Sequence, residues 1–249
     1  MHVLVTGGAG YVGSNVVRTL LEADHRVSIL DDLSSGHRAT VPDGVTLVVG
    51  RCGDPATLDE AAGSDGVDGV MHMAARTAVG ESMEDPALYY DVNLSQSLAL
   101  LGWMRQRRVG WIIHSSTCAV YGIPDAGDID EEVCPRPINA YGATKLAVDR
   151  AIRFYELAGE LRGTSLRYFN AAGAAPDGSL GEDKTPASNL IPRVLGVPLG
   201  RYPEVTIFGD DYEGSPDGTG VRDYVHVRDL ADAHVLAMDA LAAGGEGDV

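Results

Sequence analysis

A glycine-rich turn follows the first apolar segment of the chain and directly precedes a helical pattern. Residues 2–6 form a short, β-rich apolar run, and Gly7, Gly10 and Gly13 come after it at regular spacing. Such glycines let the chain turn tightly and let backbone N–H groups approach a pyrophosphate at a helix N-terminus. A glycine-rich turn can also be a simple tight connection. Its position between a strand and a helix nevertheless predicts a nucleotide-binding unit.

Strand-like and helix-like segments alternate after this turn. Several apolar strands lack polar alternation, which is typical of a parallel sheet covered by helices on both faces. We therefore predict an α/β fold, a Rossmann-type doubly wound parallel sheet. The expected strands are residues 2–6, 26–30, 45–49, 67–72, 109–115 and 164–169, and the expected helices are 12–24, a short helix from Asp54, 85–107 and 140–161.

The composition changes in the last third of the chain. Residues 171–188 are rich in Gly, Ala, Pro and Asp, and residues 209–220 form a long turn-rich loop, a type of segment that often carries function. We expect a helix at 188–200, strands at 205–208 and 222–227, and a helix at 228–243. These segments predict a nucleotide-binding Rossmann domain over 1–170 and a smaller α/β substrate lobe over 171–249, with 222–243 packing back on the Rossmann domain.

The charge balance narrows the possible partners. The chain has 249 residues with 36 acidic and 19 basic side chains, which gives a formal net charge of −17. This balance argues against nucleic-acid and anionic-membrane partners, because both need a basic surface. No apolar run reaches the ~20 residues that cross a bilayer, and no leader precedes the first strand. We therefore expect a cytoplasmic protein without a membrane partner.

The cysteines and histidines do not indicate a metal site. Cys52, Cys118 and Cys134 show no ligand spacing and indicate free thiols in a reducing compartment. The histidines also lack ligand spacing, so no metal is predicted.

An aspartate at the end of the second strand indicates which dinucleotide binds. Asp31 follows Gly13 by 18 residues, the position from which a carboxylate accepts hydrogen bonds from the adenosine ribose. A carboxylate there favours NAD over NADP, because it would repel a 2′-phosphate. Asp31 and its neighbour Asp32 could instead be turn residues. Asp54, after the third strand, either accepts from the adenine amino group or caps the helix that it precedes.

A tyrosine and a lysine share one face of the predicted helix 140–161. Tyr141 and Lys145 are four residues apart, so the phenol and the ammonium project to the same side. A nearby cation stabilises a phenolate, and we expect Lys145 to lower the pKa of Tyr141 toward the range of a useful base. Ser115, Ser116 and Thr117 end the fifth strand, where ligands bind in open α/β sheets. An exposed helix with an incidental tyrosine and lysine is the alternative.

These motifs, together with several longer segments, resemble the extended short-chain dehydrogenase/reductase family. Within that family the likeness is to the enzymes that epimerise C4 of UDP-hexoses, and it runs from Val3 to about Met238. The most specific segment is 217–232, which general dehydrogenases of this fold do not share. The other segments are residues 5–14, 78–82, 89–93, 115–117, 120–122, 166–170, 181–183 and 189–192.

The resemblance implies an NAD-dependent 4-epimerase that passes through a transient 4-keto sugar. Tyr141 would be the base, Lys145 the ribose-binding cation that tunes it, and Thr117 the group that orients the sugar 4-hydroxyl. The implied cofactor contacts are Gly7, Gly10, Tyr11, Val12, Gly13, Asp31, Asp32, Asp54, Ala74, Asn93, Ser115, Tyr141, Lys145, Tyr168 and Phe169. The implied contacts to a UDP-sugar are Thr117, Tyr141, Asn170, Asn189, Leu190 and Arg222, with Arg222 pairing with the diphosphate. A homodimer is also implied, with the helices at 85–107 and 140–161 as candidates for its interface.

The sequence departs from the family pattern in two places, one at a cofactor contact and one at the C-terminal end. Thr77, beside Arg76, occupies a position where family members often carry a cofactor-binding lysine. Family members also continue beyond the point that corresponds to Val249, so we expect the substrate lobe to be C-terminally incomplete.

Several alternative functions stay open. The chain could epimerise UDP-N-acetylglucosamine, UDP-glucuronate or UDP-xylose, could be a plain NAD-dependent dehydrogenase, or could bind NAD without turnover. A sugar-nucleotide 4,6-dehydratase is set aside, because Cys118 and Ala119 replace the acidic pair that such an enzyme carries after the threonine.

Overall fold

The protein folds around a parallel sheet of six strands, as a computed structural model that describes residues 1–124, 128–184 and 186–245 shows. The strand order is β3-β2-β1-β4-β5-β6, and every neighbouring pair is parallel. The strands are β1 (His2–Thr6), β2 (Arg26–Asp31), β3 (Thr46–Val49), β4 (Gly69–His72), β5 (Trp111–Ser115) and β6 (Arg162–Leu166). This order is the doubly wound arrangement that the alternating segments predict, so the fold class is confirmed.

Helices cover both faces of this sheet. The elements that complete the fold are α1 (Tyr11–Glu22), α2 (Pro55–Ala62), α3 (Val79–Glu84), α4 (Pro86–Tyr89), α5 (Gln96–Arg107), α6 (Ala140–Leu157), α7 (Leu190–Gly196) and α8 (Val227–Ala242), with a π-helical segment at Tyr90–Ser95 joining α4 to α5. The expected single helix at 85–107 is therefore a run of three helical segments.

Successive strand residues belong to two separate cores, which explains the near-continuous apolar strands. Val3 and Val5 pack with residues of α1 and α8 on one face. Leu4 packs with residues of α2, α5 and α6 on the other face. Because side chains alternate across a strand, a sheet buried on both faces needs apolar residues at consecutive positions.

A two-stranded parallel sheet lies outside the main sheet. It pairs β7 (Asn170–Ala172) with β8 (Tyr224–His226), so residues far apart in sequence meet just beyond the end of β6. From β8 the chain enters α8, which packs against α1. The division into domains at residue 170 stays a prediction.

The expected strand at 205–208 is wrong, because these residues form no regular element. Ile207 is 69% exposed and Phe208 is 85% exposed. A β-branched run forms a strand where neighbours pair and pack with it, and in the described part of the chain none does so here. β7 and α3 were not predicted from the sequence, and β6 begins two residues and ends three residues earlier than the predicted 164–169.

Candidate active site

The glycine turn lies at the carboxyl edge of β1, where three backbone segments approach closely. A Cβ on Gly13 would lie 2.1 Å from the carbonyl oxygen of Gly7, so α1 can begin against the turn only with glycine there. Gly7 has φ +73°, and a Cβ on it would lie 2.6 Å from the backbone nitrogen of Ala74. Gly10 precedes the first turn of α1, which begins with Tyr11 and Val12. This turn therefore presents helix N-terminal amides at the edge of the sheet.

Asp31 ends β2 beside this turn. Its side chain is 6% exposed, and its carboxylate accepts hydrogen bonds from the amides of Ala9 at 3.0 Å and Leu33 at 2.9 Å. Burial raises the pKa of Asp31, while these backbone hydrogen bonds act to lower it. The carboxylate is therefore held against the glycine turn by the backbone on both sides.

Asp32 and Asp54, the other two acidic residues predicted to contact the cofactor, are exposed. Each accepts a hydrogen bond from a backbone amide two residues later in the chain. Asp32 accepts a hydrogen bond from the amide of Ser34 at 2.9 Å, and Asp54 accepts one from the amide of Ala56 at 3.0 Å. Asp54 is thus the N-cap of α2, which is one of the two roles that the sequence left open.

Tyr141 and Thr117 meet because α6 begins very close to the turn after β5. A Cβ on Gly142 would lie 2.4 Å from the carbonyl oxygen of Ala119, so the residue after Tyr141 must be glycine for this approach. Asn139 caps the helix by accepting a hydrogen bond from the amide of Gly142 at 2.7 Å. The sequence therefore places the phenol at the carboxyl end of β5.

The pKa of Tyr141 is raised, which is opposite to the expected direction. Burial is the largest cause, and the neighbouring Tyr168 adds to it, while a hydrogen bond with Thr117 lowers the pKa. The expected lowering of this pKa is therefore wrong for this site, because burial removes the phenol from water and disfavours the phenolate.

The ammonium of Lys145 is buried, and residues of β5 accept its hydrogen bonds. Its side chain is 3% exposed, and its Nζ donates to the carbonyl oxygen of Ser115 at 2.7 Å and lies 3.4 Å from Nε2 of His114. Burial lowers the pKa of Lys145 to about 8, against an opposing effect of Asp149. The ammonium is therefore fixed at the end of β5 and loses its proton more readily than a surface lysine.

A buried acidic group that the sequence analysis missed supports this lysine. Asp149 lies 2.9 Å from Nδ1 of His114 and accepts hydrogen bonds from Ser116 at 3.0 Å and Arg167 at 3.0 Å. Burial acts to raise the pKa of Asp149, but His114 and Arg167 together lower it to about 2. The signal in the sequence was its spacing, four residues after Lys145 on the same helix face.

Ser115 and Tyr168 join the end of β5 to the segment after β6. The hydroxyl groups of Ser115 and Tyr168 lie 2.7 Å apart, and Phe169, next in sequence, is partly buried. Tyr168 is therefore tied to Ser115, the residue whose carbonyl oxygen accepts from Lys145.

Asn93 uses its amide to fix the segment after β4. It accepts from the Arg76 amide at 2.8 Å and donates to the Arg76 carbonyl at 3.0 Å and to Thr144 Oγ1 at 3.3 Å. The Arg76 guanidinium pairs with Glu81 at 3.4 Å, whereas Thr77 is exposed. Asn93 thus couples the Ala74–Thr77 region to the helix that carries Tyr141.

The residues expected to contact a sugar nucleotide fall into two groups. Asn170 donates to the carbonyl oxygen of Asp223 at 2.8 Å, and Arg222 is exposed and close enough to Cys118 to influence its pKa. Asn189 donates to Glu182 at 2.6 Å, and Leu190 is 54% exposed at the start of α7. The structure therefore brings Asn170 and Arg222 to the Thr117 turn, while Asn189 and Leu190 lie on the 182–196 segment.

Within the described ranges, no group of three or more His, Cys, Asp or Glu side chains is arranged to hold a metal ion. None of the helices in those ranges is long and apolar enough to cross a membrane.

Comparison with known proteins places this arrangement in a family. Residues 3–249 match the NAD dependent epimerase/dehydratase family. The chain belongs to this family. It is 48% identical to a UDP-glucose 4-epimerase from Corynebacterium glutamicum over 244 residues, which are 98% of this chain and 73% of that relative.

Two solved structures of the same kind of epimerase are similar to this family member. One, from Brucella ovis in complex with NAD, has a TM-score of 0.93 at 43% identity and covers 99% of this chain and 75% of its own. The other, from Bifidobacterium longum in complex with NAD+ and UDP, has a TM-score of 0.90 at 38% identity and covers 96% of this chain and 74% of its own. The expected incompleteness of the substrate lobe stays a prediction.

The buried histidines predict an acid-sensitive fold. Burial lowers the pKa of His114 and His234 to about 4 and that of His72 well below its usual 6.5. The unfolded chain then binds more protons than the folded protein, so stability is full above pH 6.5 and is lost as pH falls from 6.5 toward 4. We expect a loss on the order of 2 kcal/mol for each such histidine between pH 7 and pH 5.

Urea unfolding at both pH values measures this loss. The variant His234→Gln should show a smaller change with pH than the wild type. Equal wild-type stability at pH 7 and pH 5 would contradict the assignment.

Proposed function

We propose that the chain catalyses NAD-dependent 4-epimerisation of a UDP-hexose, interconverting UDP-glucose and UDP-galactose through a transient 4-keto sugar. The observation that carries this proposal is the placement of Thr117, Tyr141 and the buried Lys145 together at the carboxyl end of β5. The similar proteins bearing the name UDP-glucose 4-epimerase, and the NAD and UDP bound in solved structures, support the same reaction.

The residues of the glycine turn fit a dinucleotide. Side chains at Gly7 and Gly13 would collide with backbone, so the space beside the turn stays open and the N-terminal amides of α1 face the pyrophosphate position. Asp31, held at the end of β2, would accept from the adenosine ribose, and Lys145 would donate its remaining N–H to the nicotinamide ribose. When bound, NAD would supply the hydride acceptor and donor for C4 of the hexose and add a positive charge to the site.

The remaining cofactor contacts stay predictions on the family resemblance. They are Gly10, Tyr11, Val12, Asp32, Asp54, Ala74, Asn93, Ser115, Tyr168 and Phe169.

The chain's own residues handle the proton of the sugar 4-hydroxyl. Thr117 would orient this hydroxyl, and Tyr141 would take its proton and later return it to the same oxygen. Tyr141 must be a phenolate to take this proton, and burial raises its pKa. The positive charges of Lys145 and of bound NAD would therefore be needed to stabilise the phenolate before the proton transfer. The protein thus contributes orientation and proton transfer.

Substrate binding needs cations that act locally, because the chain carries a net charge of −17. Arg222 is exposed near the Thr117 turn and would pair with the diphosphate, where a guanidinium matches phosphate geometry. Asn170, Asn189 and Leu190 would contact the rest of the UDP-sugar. These roles rest on the resemblance and on the position of Arg222 and Asn170.

Exposed apolar side chains on two helices support a homodimer. Leu98 on α5 is 42% exposed, and Phe154 and Leu157 on α6 are 69% and 65% exposed. A second copy of the chain would bury such residues. Sedimentation at the mass of one copy would contradict this proposal.

We also propose a cytoplasmic location, which the net charge and the cysteine pattern support. Cell fractionation tests it.

The reaction is tested with the NAD-loaded protein and UDP-galactose. We expect UDP-glucose to form, and Tyr141→Phe to lower kcat on the order of 10³-fold while NAD stays bound, because only the proton-transferring oxygen is removed. Liquid chromatography of the sugar nucleotides provides the measurement. If only UDP-N-acetylglucosamine is converted, the substrate is a UDP-N-acetylhexosamine rather than UDP-glucose or UDP-galactose. If folded, NAD-loaded protein converts neither, the proposed function is wrong.

A matched pair of variants tests the ribose assignment. Asp31→Ala should weaken NAD binding on the order of 10-fold or more and admit NADP, since the buried carboxylate that faces the ribose is lost. Asp54→Ala should lower helix stability, because its carboxylate caps α2. It should leave the NAD/NADP preference unchanged, because its predicted contact is with the adenine and not with the ribose. Both dissociation constants can be measured by calorimetry, and an unchanged preference in Asp31→Ala would reassign Asp31 as a turn residue.

A further inference from the structure

A buried histidine lies directly beneath the lysine of the proposed active site. His114, on β5, is fully buried, and its Nε2 lies 3.4 Å from Nζ of Lys145. Its other ring nitrogen, Nδ1, lies 2.9 Å from a carboxylate oxygen of Asp149. The imidazole therefore bridges a buried ammonium and a buried carboxylate.

The donors and acceptors of this bridge can be satisfied in only one way. An ammonium and a carboxylate can respectively only donate and only accept, so Nδ1 must carry the proton and Nε2 must accept from Lys145. His114 is then neutral, in agreement with its depressed pKa of about 4. The neutral ring is polarised by the carboxylate of Asp149 at Nδ1, which makes Nε2 a better acceptor for the ammonium of Lys145. It adds no positive charge beside that ammonium.

The carboxylate at the far end of the bridge is itself fixed in place. Asp149 accepts from the hydroxyl of Ser116 and from Nε of Arg167, both at 3.0 Å. Arg167 is further held by the hydroxyl of Tyr121 at 3.3 Å. A carboxylate with these partners cannot rotate away from His114, so the position of the imidazole is set as well.

A second buried histidine shows that burial alone does not create this bridge. His72, on β4, stacks on His114 with ring centroids 5.7 Å apart, but its nitrogens are bonded to Thr6 and Ser97, each at 2.7 Å. His72 is thus a hydrogen-bonded core residue, whereas His114 contacts a group of the proposed chemistry.

We propose that His114, oriented by Asp149, is a positioning residue that holds the ammonium of Lys145 charged and in place beneath Tyr141 and the cofactor ribose. This proposal rests on the proposed epimerase function for its catalytic consequence. The geometry itself belongs to the ligand-free chain, so it can be tested without turnover.

Among the described residues, ionisable groups on several elements interact with Lys145 or His114. They are His72 on β4, Cys52 after β3, Asp149 on α6, Arg167 after β6, and His234 on α8. Asp149 is the carboxylate among them that directly contacts His114.

The composition of the chain permits a direct measurement on Lys145. Lys145 and Lys184 are the two lysines of the whole sequence, so protein labelled with ¹³C at lysine Cε gives two resonances. Lys184 is exposed and serves as an internal reference during a pH titration of the full chain. We expect Lys145 to titrate below the usual range of a lysine, because burial lowers its pKa.

Three variants separate the bridge from burial and from folding. His114→Phe should lower the midpoint of Lys145 by about one to two pH units, because the acceptor is lost and Asp149 no longer acts through the ring. His114→Gln keeps an acceptor and a donor and should stay within about 0.3 units of wild type. His72→Phe, which removes the neighbouring imidazole, should also stay within about 0.3 units. An unmoved Lys145 midpoint in folded His114→Phe overturns the proposal.

The wild type supplies a test that needs no variant to fold. Nitrogen-15 spectra of the histidine rings should show His114 protonated at Nδ1 and unprotonated at Nε2 at pH 7. The opposite tautomer, or a doubly protonated ring, would overturn the bridge.

Kinetics then connects the bridge to the reaction. In His114→Phe we expect kcat to fall on the order of 10-fold or more, with its alkaline limit moved to lower pH and KM for the UDP-sugar little changed, and His114→Gln to restore both. An unchanged pH profile in an active His114→Phe variant contradicts the positioning role. If wild type shows no epimerisation while the Lys145 midpoint moves as expected, the epimerase function fails and the bridge stands.

Discussion

The structure around the candidate site depends on one buried cation, the ammonium of Lys145. A charge removed from water is costly unless hydrogen bonds and an opposite charge compensate it. The carbonyl oxygen of Ser115 and the His114–Asp149 pair supply that compensation from below, and Gly142 lets α6 approach closely enough to reach them. These contacts use two of the three N–H groups of the ammonium, which leaves one for the proposed contact with the cofactor ribose.

The same arrangement explains how an acidic protein can bind two anionic ligands. The net charge of −17 describes the whole surface, whereas binding depends on fields within a few ångströms. At the sheet edge these fields come from the N-terminal amides of α1, from Lys145 and from Arg222. The acidic surface therefore limits non-specific partners without preventing recognition of a dinucleotide and a UDP-sugar.

The sequence predicted what local spacing determines and missed what tertiary packing determines. The glycine turn, the parallel sheet and the Tyr141–Lys145 face follow from short-range patterns. The predicted strand at 205–208 was wrong because residues of high β-propensity form a strand only where a neighbouring strand pairs with them. The predicted direction of the Tyr141 pKa shift was wrong because the burial of the phenol depends on the whole fold. Asp149 carried a spacing signal, but its pairing with His114 needs β5 and α6 side by side, which composition and periodicity do not specify.

The central claim is that Tyr141 handles a proton at oxygen while the hydrogen on C4 never reaches solvent. Conversion of UDP-galactose deuterated at C4, by protein loaded with unlabelled NAD, tests it most directly. Mass spectrometry and NMR of the UDP-glucose formed in the first turnover should show deuterium retained at C4. Product that instead carries hydrogen from water at C4 would contradict hydride transfer within the site and, with it, the role assigned to Tyr141 and Lys145.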